Sequence, residues 1–201
     1  MLPEFTDVDL ATALDAVVEQ VLNIVGIDRP PVDAFAVAHT LGMEIAWDSS
    51  QAGRGRIVKL NSHTAGRPPQ VSILLRPEPR SERRQWAVAH EIGEALAWQV
   101  FEEIGVDPRE APPDTRERVA NHFAGRLLAP TCFLGDDAAE CGWDLFHLKS
   151  SFSTASHELL ARRMLDFSVP IVMTIFDLGQ VTFRRTNIDG PLPPISAVER
   201  R

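Results

Sequence analysis

The chain has 201 residues, of which 44% are hydrophobic and 24% charged, a composition typical of a globular protein long enough to bury one core. Its formal net charge of -8 argues against non-specific binding to nucleic acid. No apolar run approaches the ~18 residues that a membrane span needs, and the acidic N-terminus lacks the positive region of a signal peptide. The expected location is therefore the cytoplasm, with neither a membrane nor nucleic acid as a direct partner.

The first part of the chain is expected to form two helices and three strands. Apolar residues at near-helical spacing predict a helix over Asp9–Val25, for which Asp7 or Asp9 is a suitable cap. A shorter helix is expected over Val32–Leu41, with Gly42 at its end. Three apolar or alternating runs predict strands at Met43–Trp47, Gly55–Leu60 and Val71–Leu75.

Helices are predicted to dominate the middle of the chain. The longest is expected over Ser81–Ile104, where Gly105 ends it. The next is expected over Thr115–Leu128, and Pro130 closes it. Two shorter helices are predicted at Trp143–Phe152 and Thr154–Phe167.

The C-terminal part is expected to form a β-hairpin and a loose tail. Two strand-like runs, Val169–Phe176 and Gln180–Arg184, are joined by a short turn and predict the hairpin. Proline-rich residues after Gly190 predict a flexible tail over 191–201, so that residues 1–190 form a single domain. The order of helix, strands, helices and hairpin indicates an α+β fold, with a small N-terminal sheet on a helical core.

The segment His90-Glu91-Ile92-Gly93-Glu94 carries the strongest chemical signal in the chain. In the zinc-protease signature H-E-x-x-H, two histidines one helical turn apart hold Zn²⁺ and the glutamate between them is the general base. Here Glu94 stands where the second histidine would be. On a helix, His90 and Glu94 share one face, so both side chains are candidate metal ligands.

A purely structural explanation of these residues is also open at this point. Glu91 and Glu94 would then be surface acids, and His90 a hydrogen-bonded core histidine. Likewise, Asp114-Thr115-Arg116-Glu117 has the spacing of a capping box, in which Glu117 would accept a hydrogen bond from the Asp114 N–H. The H-E-x-x-E motif alone does not decide between the two explanations.

A second segment, Glu117 to Pro130, is more specific. It matches every fixed position of the pattern E-x-x-A-N-x-F-A-x-x-L-L-x-P. With the H-E-x-x-E helix before it, this part of the chain resembles the ImmA/IrrE family of metallopeptidases, in which an H-E-x-x-H helix precedes the same pattern. The resemblance implies a zincin-like helical core that contains the active-site helix.

The resemblance also implies roles for individual residues. His90 and Glu117 would be metal ligands and Glu91 the general base, while Glu94 occupies the position of the family's second histidine. Asn121 falls within the second pattern, and we expect it to bond a backbone group between helices. These roles define the candidate site that the structure has to place.

The metal implied by the resemblance is Zn²⁺, held by His90, Glu94 and Glu117. A second carboxylate would weaken the Lewis acidity of the ion and shift the preference toward harder ions such as Mn²⁺ or Fe²⁺. An empty site is the alternative. The crowded glutamates would then bind a proton or pair with an arginine, for which Arg83 and Arg126 are candidates.

The function implied by the resemblance is that of an endopeptidase that cleaves a helix-turn-helix repressor and so switches on stress genes. Two alternatives stay open: an inactive relative that acts as a regulatory protein-binding module, and a structural partner that uses the cleft for contact only. The chain has no tyrosine, so a tetrahedral oxyanion would need another donor. The candidates are His122, His147, His157 and the arginines.

Overall fold

The computed structural model describes residues 6–50, 53–60 and 70–199. Its first helix, α1, spans Asp7–Val25. The cap is Thr6 rather than the expected Asp7 or Asp9, because the Thr6 side chain accepts a hydrogen bond from the Asp9 N–H. The Asp9 carboxylate in turn accepts from the Thr6 N–H at 2.9 Å. This reciprocal pair is a capping box, so Asp9 supports the helix from inside its first turn.

The three predicted strands form one small sheet beside a short helix. The helix, α2, spans Ala34–Thr40 and starts later than predicted because the Asp33 side chain caps it. The strands are β1 (Met43–Trp47), β2 (Gly55–Leu60) and β3 (Gln70–Leu75). Strand β3 lies in the middle, parallel to β1 and antiparallel to β2, so β2 is an edge strand among the described residues. Residues 51 and 52, between β1 and β2, lie outside those residues.

Five helices and a hairpin follow the sheet in the described part of the chain. The helices are α3 (Ser81–Glu103), α4 (Pro113–Leu128), α5 (Thr131–Glu140), α6 (Leu145–Ser151) and α7 (His157–Met164). The hairpin pairs β4 (Val172–Asp177) antiparallel with β5 (Gln180–Thr186). Within residues 6–50, 53–60 and 70–199, no helix is both long and apolar enough to cross a membrane. The α+β fold expected from the sequence is confirmed.

The helices after α4 differ most from the predictions. Helix α5 is not among the predicted elements, because only Leu134 and Ala138 are buried and such a narrow apolar stripe gives little periodicity. Helices α6 and α7 are shorter than predicted. Each begins after a capping side chain, Asp144 for α6 and Ser156 for α7, so the residues before these caps are not helical.

The hairpin is attached to the helices through side chains of β5. Arg162 of α7 lies 3.9 Å from the ring centroid of Phe183, a cation–π contact. Arg184 forms an ion pair with Glu199, which lies in the stretch predicted to be a loose tail. The flexibility of residues 191–201 stays a prediction.

The hydrophobic core lies between α1, α3 and α4. Its largest fully buried side chains include Leu14 of α1, Phe101 of α3 and Phe123 of α4. Burial of each such side chain contributes about 1.5–3 kcal/mol to the free energy of unfolding. The core therefore fixes α3 and α4, the two helices that carry the candidate ligands, against α1.

Two buried arginines join three of the helices. Arg126 of α4 forms an ion pair with Asp15 of α1 at 3.1 Å and lies 3.5 Å from the carboxylate of Asp166, just after α7. Arg163 of α7 also pairs with Asp166 and donates to the carbonyl of Ala129. Because a buried charge without a partner is strongly destabilising, this network holds α1, α4 and α7 in one arrangement.

Helices α3 and α4 approach each other very closely at Gly93. A methyl group added at Gly93 would lie 2.9 Å from the carbonyl oxygen of Ala120 and 3.0 Å from the ring of Phe123. The neighbour at the shorter distance is backbone, which cannot rotate away, so the contact requires glycine. Since His90 and Glu94 lie on either side of Gly93 in the same helix, this approach also sets their distance from α4.

We expect Gly93→Ala to lower the free energy of unfolding by about 1–3 kcal/mol, because overpacking at the backbone contact outweighs a gain of about 1 kcal/mol in helix propensity. The matched control is Gly125→Ala in α4, where the new methyl would meet side chains only, all at van der Waals distance, the nearest being Leu159 at 3.4 Å. That variant should be neutral or slightly more stable. Urea denaturation measures both, and equal stabilities for the two variants would contradict this account of the helix contact.

Candidate metal centre

The structure brings the three sequence-predicted ligands together. Helix α3 carries His90 and Glu94 one turn apart, and α4 carries Glu117 at its second turn. The Nε2 atom of His90 lies 3.6 Å from Glu117 Oε2 and 3.9 Å from Glu94 Oε1. One candidate ligand atom from each residue lies within 4.8 Å of the other two. The side chain of His90 is 16% exposed and that of Glu117 57%, so the group opens to solvent on the α4 side.

The donor set fits a divalent cation. Ligand atoms around a tetrahedral Zn²⁺ at about 2.1 Å stand about 3.4 Å apart, so the two observed distances need only small side-chain rotations. One imidazole nitrogen and two carboxylates are also acceptable to Mn²⁺ or Fe²⁺. Among the described residues, no arginine or lysine forms an ion pair with Glu91, Glu94 or Glu117. The negative charge of the cluster is therefore left for a cation to offset.

The side chain of Glu91 points away from solvent and is buried, with 6% of its surface exposed. Burial raises its pKa to about 7, and the nearby charges of Glu94 and Glu117 act in the same direction, against a hydrogen bond from the Ile57 backbone. Strand β2 passes directly over the carboxylate: a methyl group at Gly55 would lie 2.7 Å from Glu91 Oε1. The interpretation of Glu91 as a surface acid is therefore wrong.

Gly55 is a site residue that the sequence analysis missed. Its lack of a side chain lets β2 approach the Glu91 carboxylate, and Ile57 of the same strand directs its backbone toward it. A glycine inside a strand pattern often marks such a close backbone approach, so the signal was present at the predicted start of the strand.

Asn121 acts differently from the prediction. Its Nδ2 atom donates to Glu117 Oε1 at 3.0 Å, within α4, instead of bonding a backbone group of another helix. The hydrogen bond leaves Glu117 Oε2 as the atom that faces His90. The spacing of four residues between Glu117 and Asn121 puts the two side chains next to each other on a helix, and this signal was available in the sequence.

The capping-box explanation of Glu117 is also wrong. Helix α4 begins at Pro113, so Asp114 lies in its first turn and is not the residue before the helix. The N–H groups of Thr115 and Arg116 both bond to the carbonyl of Pro112. Glu117 therefore has no capping role, and its carboxylate is directed to Asn121 and His90.

The two arginines that were candidates to pair with the glutamates lie elsewhere. Arg83 forms an ion pair with Glu78 at 3.5 Å, before α3. Arg126 belongs to the buried network with Asp15 and Asp166. Both are about two turns from the nearest candidate ligand on their own helix, which places them outside its reach.

The histidines considered as oxyanion donors lie away from the candidate metal centre. His122 lies among Arg126, Asp166 and Arg118, on a different face of α4 from Glu117. His157 packs edge-on against the ring of Phe146, with centroids 5.6 Å apart. His147 is exposed on α6. None of the three belongs to the cluster around His90.

No curated protein matches the chain. One of ten solved chains that match is a Mycobacterium tuberculosis transcriptional regulator, with a TM-score of 0.61 and 16% identity over 88% of this chain and 55% of the other. At this identity the likeness shows the fold alone, and the chain spans about half the length of that regulator. The family model described as the IrrE N-terminal-like domain, Peptidase_M78, matches residues 35–164, more than half of the chain. The chain therefore belongs to this family of metallopeptidases.

Proposed function

We propose that the protein is a metal-dependent endopeptidase in which His90, Glu94 and Glu117 hold the metal and Glu91 is the general base. The observation that carries the proposal is the convergence of three donor atoms within 4.8 Å, next to a carboxylate that strand β2 covers. Buried carboxylates are costly, and a site that keeps one beside two further acids has a chemical use for it.

The role proposed for each residue follows from where its side chain lies. A divalent cation, when bound, supplies Lewis acidity that polarises a carbonyl and acidifies water. Glu91, beside the cluster and beneath Gly55, takes the proton of the attacking water and delivers it to the leaving amine. Asn121 keeps one oxygen of Glu117 occupied, so that the other, which lies near His90, would be the one to hold a cation.

Strand β2 offers a place for an extended polypeptide. It is an edge strand in the described residues, so its outer backbone groups other than the Ile57 N–H, which bonds to Glu91, can pair with an added strand. A polypeptide bound there passes over Glu91, because β2 itself crosses the Glu91 carboxylate at Gly55. We take the substrate class from the family resemblance: a helix-turn-helix transcriptional repressor. The solved neighbour is itself a transcriptional regulator, which agrees with this choice.

The second candidate is a regulatory protein-binding module without catalysis. It is favoured by Glu94, which stands where the resemblance calls for a histidine and leaves the cluster with one neutral donor and two acids. Metal analysis separates the candidates. A protein that purifies without a transition metal and stays folded in chelator would support the binding module, whereas a stoichiometric metal supports the peptidase.

Cleavage is tested with purified protein loaded with Zn²⁺, Mn²⁺ or Fe²⁺ and helix-turn-helix repressors encoded in the same genome, with intact-mass spectrometry of the products. We expect Glu91→Gln to lower the cleavage rate by a factor of about 10²–10⁴ while metal binding is retained, because the amide keeps the shape and removes the base. Glu102→Gln, an exposed glutamate of the same helix, is the control and should leave the rate unchanged. Full activity of the Glu91→Gln protein would exclude the assigned base.

Glu94→His should raise zinc affinity at least about tenfold, since it restores a neutral nitrogen donor and relieves the repulsion between two carboxylates. Cleavage with Zn²⁺ should rise in parallel if the rest of the site is intact. Isothermal titration with Zn²⁺ measures the affinity, and Glu103→His at the exposed end of α3 controls for an adventitious histidine. Unchanged zinc binding in Glu94→His would count heavily against this site.

Asn121→Ala should weaken metal binding by about 10- to 100-fold, because Glu117 loses the hydrogen bond that orients it. Asn23→Ala, at an exposed position of α1, is the matched control and should bind metal as the parent protein does. Competition with a chromophoric chelator gives both affinities. Equal affinities for the two variants would mean that the Asn121 contact has no part in metal binding.

A further inference from the structure

A pocket rich in arginine lies at the N-terminal end of α3, outside the candidate metal centre. Its volume is about 260 Å³. Pockets for drug-sized ligands are usually about 300–1,000 Å³, so this one suits a single side chain better than a cofactor. Its walls include the arginines Arg54, Arg76, Arg83 and Arg84, with Trp47 and Ala87 as apolar parts.

The pocket is positively charged in an otherwise acidic protein. Among the described residues, Glu78 is the one acid that lines it, so four guanidinium groups against one carboxylate leave three positive charges, whereas the chain carries -8. Glu78 already pairs with Arg83 at 3.5 Å, and Arg84 donates to the Glu78 carbonyl at 2.9 Å. No ion pair of the described residues involves Arg54 or Arg76, which makes these two available to an anionic group.

The pocket lies beside the candidate active site, along both α3 and β2. Ala87 lines it and is one helical turn before Glu91, on the same face of α3. Arg54 lines it as well, and the next residue, Gly55, contacts the Glu91 carboxylate. The Arg76 N–H donates to the Arg54 carbonyl at 3.0 Å, which keeps the two arginines adjacent. An extended peptide advances about 3.3 Å per residue, so one bound over Glu91 reaches this pocket within about three residues.

We propose that this arginine pocket binds an acidic side chain, Asp or Glu, of the polypeptide substrate near the bond that is cut. The inference rests on the proposed peptidase function. A carboxylate accepts charge-assisted, often bidentate hydrogen bonds from guanidinium groups, and here Arg54 and Arg76 supply them. Trp47 and Ala87 cover the apolar stem of the bound side chain. By fixing where that residue lies along β2, the pocket selects the peptide bond that faces Glu91.

A phosphate of a nucleic acid would satisfy the same arginines, but the rest of the molecule disfavours it. A polyanion would be repelled by the net charge of -8 and by the carboxylates of Glu91, Glu94 and Glu117 next to the pocket. A single carboxylate within a mostly neutral peptide meets the arginines without that repulsion. The pocket is therefore matched to a peptide side chain.

The test uses the full chain with Glu91→Gln, so that bound peptides are not cut. Three pools of short labelled peptides are identical except for a central Glu, Gln or Lys, and fluorescence anisotropy gives their affinities. We expect the Glu pool to bind about tenfold or more tightly than the Gln pool, and the Lys pool to bind most weakly. Arg54→Ala with Arg76→Ala should remove the difference between the pools, and higher salt should reduce it.

Two further variants make the result specific. Arg29→Ala with Arg80→Ala changes the net charge equally at exposed positions that do not line the pocket, and should keep the preference for Glu. Arg54→Lys with Arg76→Lys keeps both positive charges and should keep most of the preference for Glu. Equal binding of the Glu and Gln pools, or a preference that survives loss of both pocket arginines, would overturn the proposal. Tighter binding of oligothymidylate through the same two arginines would overturn it as well.

Cleavage-site analysis of a peptide library with the unmodified, metal-loaded protein distinguishes this inference from the function on which it rests. Enrichment of Asp or Glu at one position within about three residues of the cut supports both. Cleavage without acidic enrichment refutes the proposed role of the pocket and leaves the proposed peptidase function standing. Arginine-dependent binding of the Glu pool without any cleavage refutes the peptidase and leaves the pocket as a binding site.

Discussion

The close approach of α3 and α4 at Gly93 determines how near the three candidate metal ligands lie to one another. With no side chain at Gly93, the backbone of α3 rests on the carbonyl of Ala120, and His90 and Glu94 on either side of it come within reach of Glu117. The core between α1, α3 and α4 and the buried arginine network hold this crossing in place.

A second constraint acts from the sheet. Strand β2 lies across α3 so that Gly55 covers Glu91. A buried carboxylate, a cluster of metal-type donors and a strand edge that pairs with no other described strand therefore lie next to one another. Each has a weak meaning alone, since exposed acids are common and edge strands occur in most sheets. Together they are consistent with a site that holds an extended polypeptide against a cation and a base. The arginine pocket lies beside them, and in our proposal it gives bound peptides a preference for an acidic residue.

Much of the fold and the candidate site could be predicted from the sequence, because the signals were periodic or had fixed spacing. The periodicity of α3 and the pattern from Glu117 onward placed both ligand helices within two residues of their observed ends. What could not be predicted depends on contacts between distant segments. Gly55 lies over Glu91, and Arg126 pairs with Asp15. Each contact joins residues that are far apart in the chain, and no local sequence pattern specifies such partners. Helix α5 was missed because only Leu134 and Ala138 are buried in it, a stripe too narrow to give a clear periodicity.

The most direct measurement is a crystal structure of the protein as purified, with anomalous diffraction data collected on both sides of the absorption edges of zinc, manganese and iron. The account predicts one anomalous peak within about 2.0–2.2 Å of the Nε2 atom of His90, with oxygen atoms of Glu94 and Glu117 as its other protein ligands. A peak held by other residues, or a well-ordered cluster without any peak after soaking with each of the three metals, would contradict it.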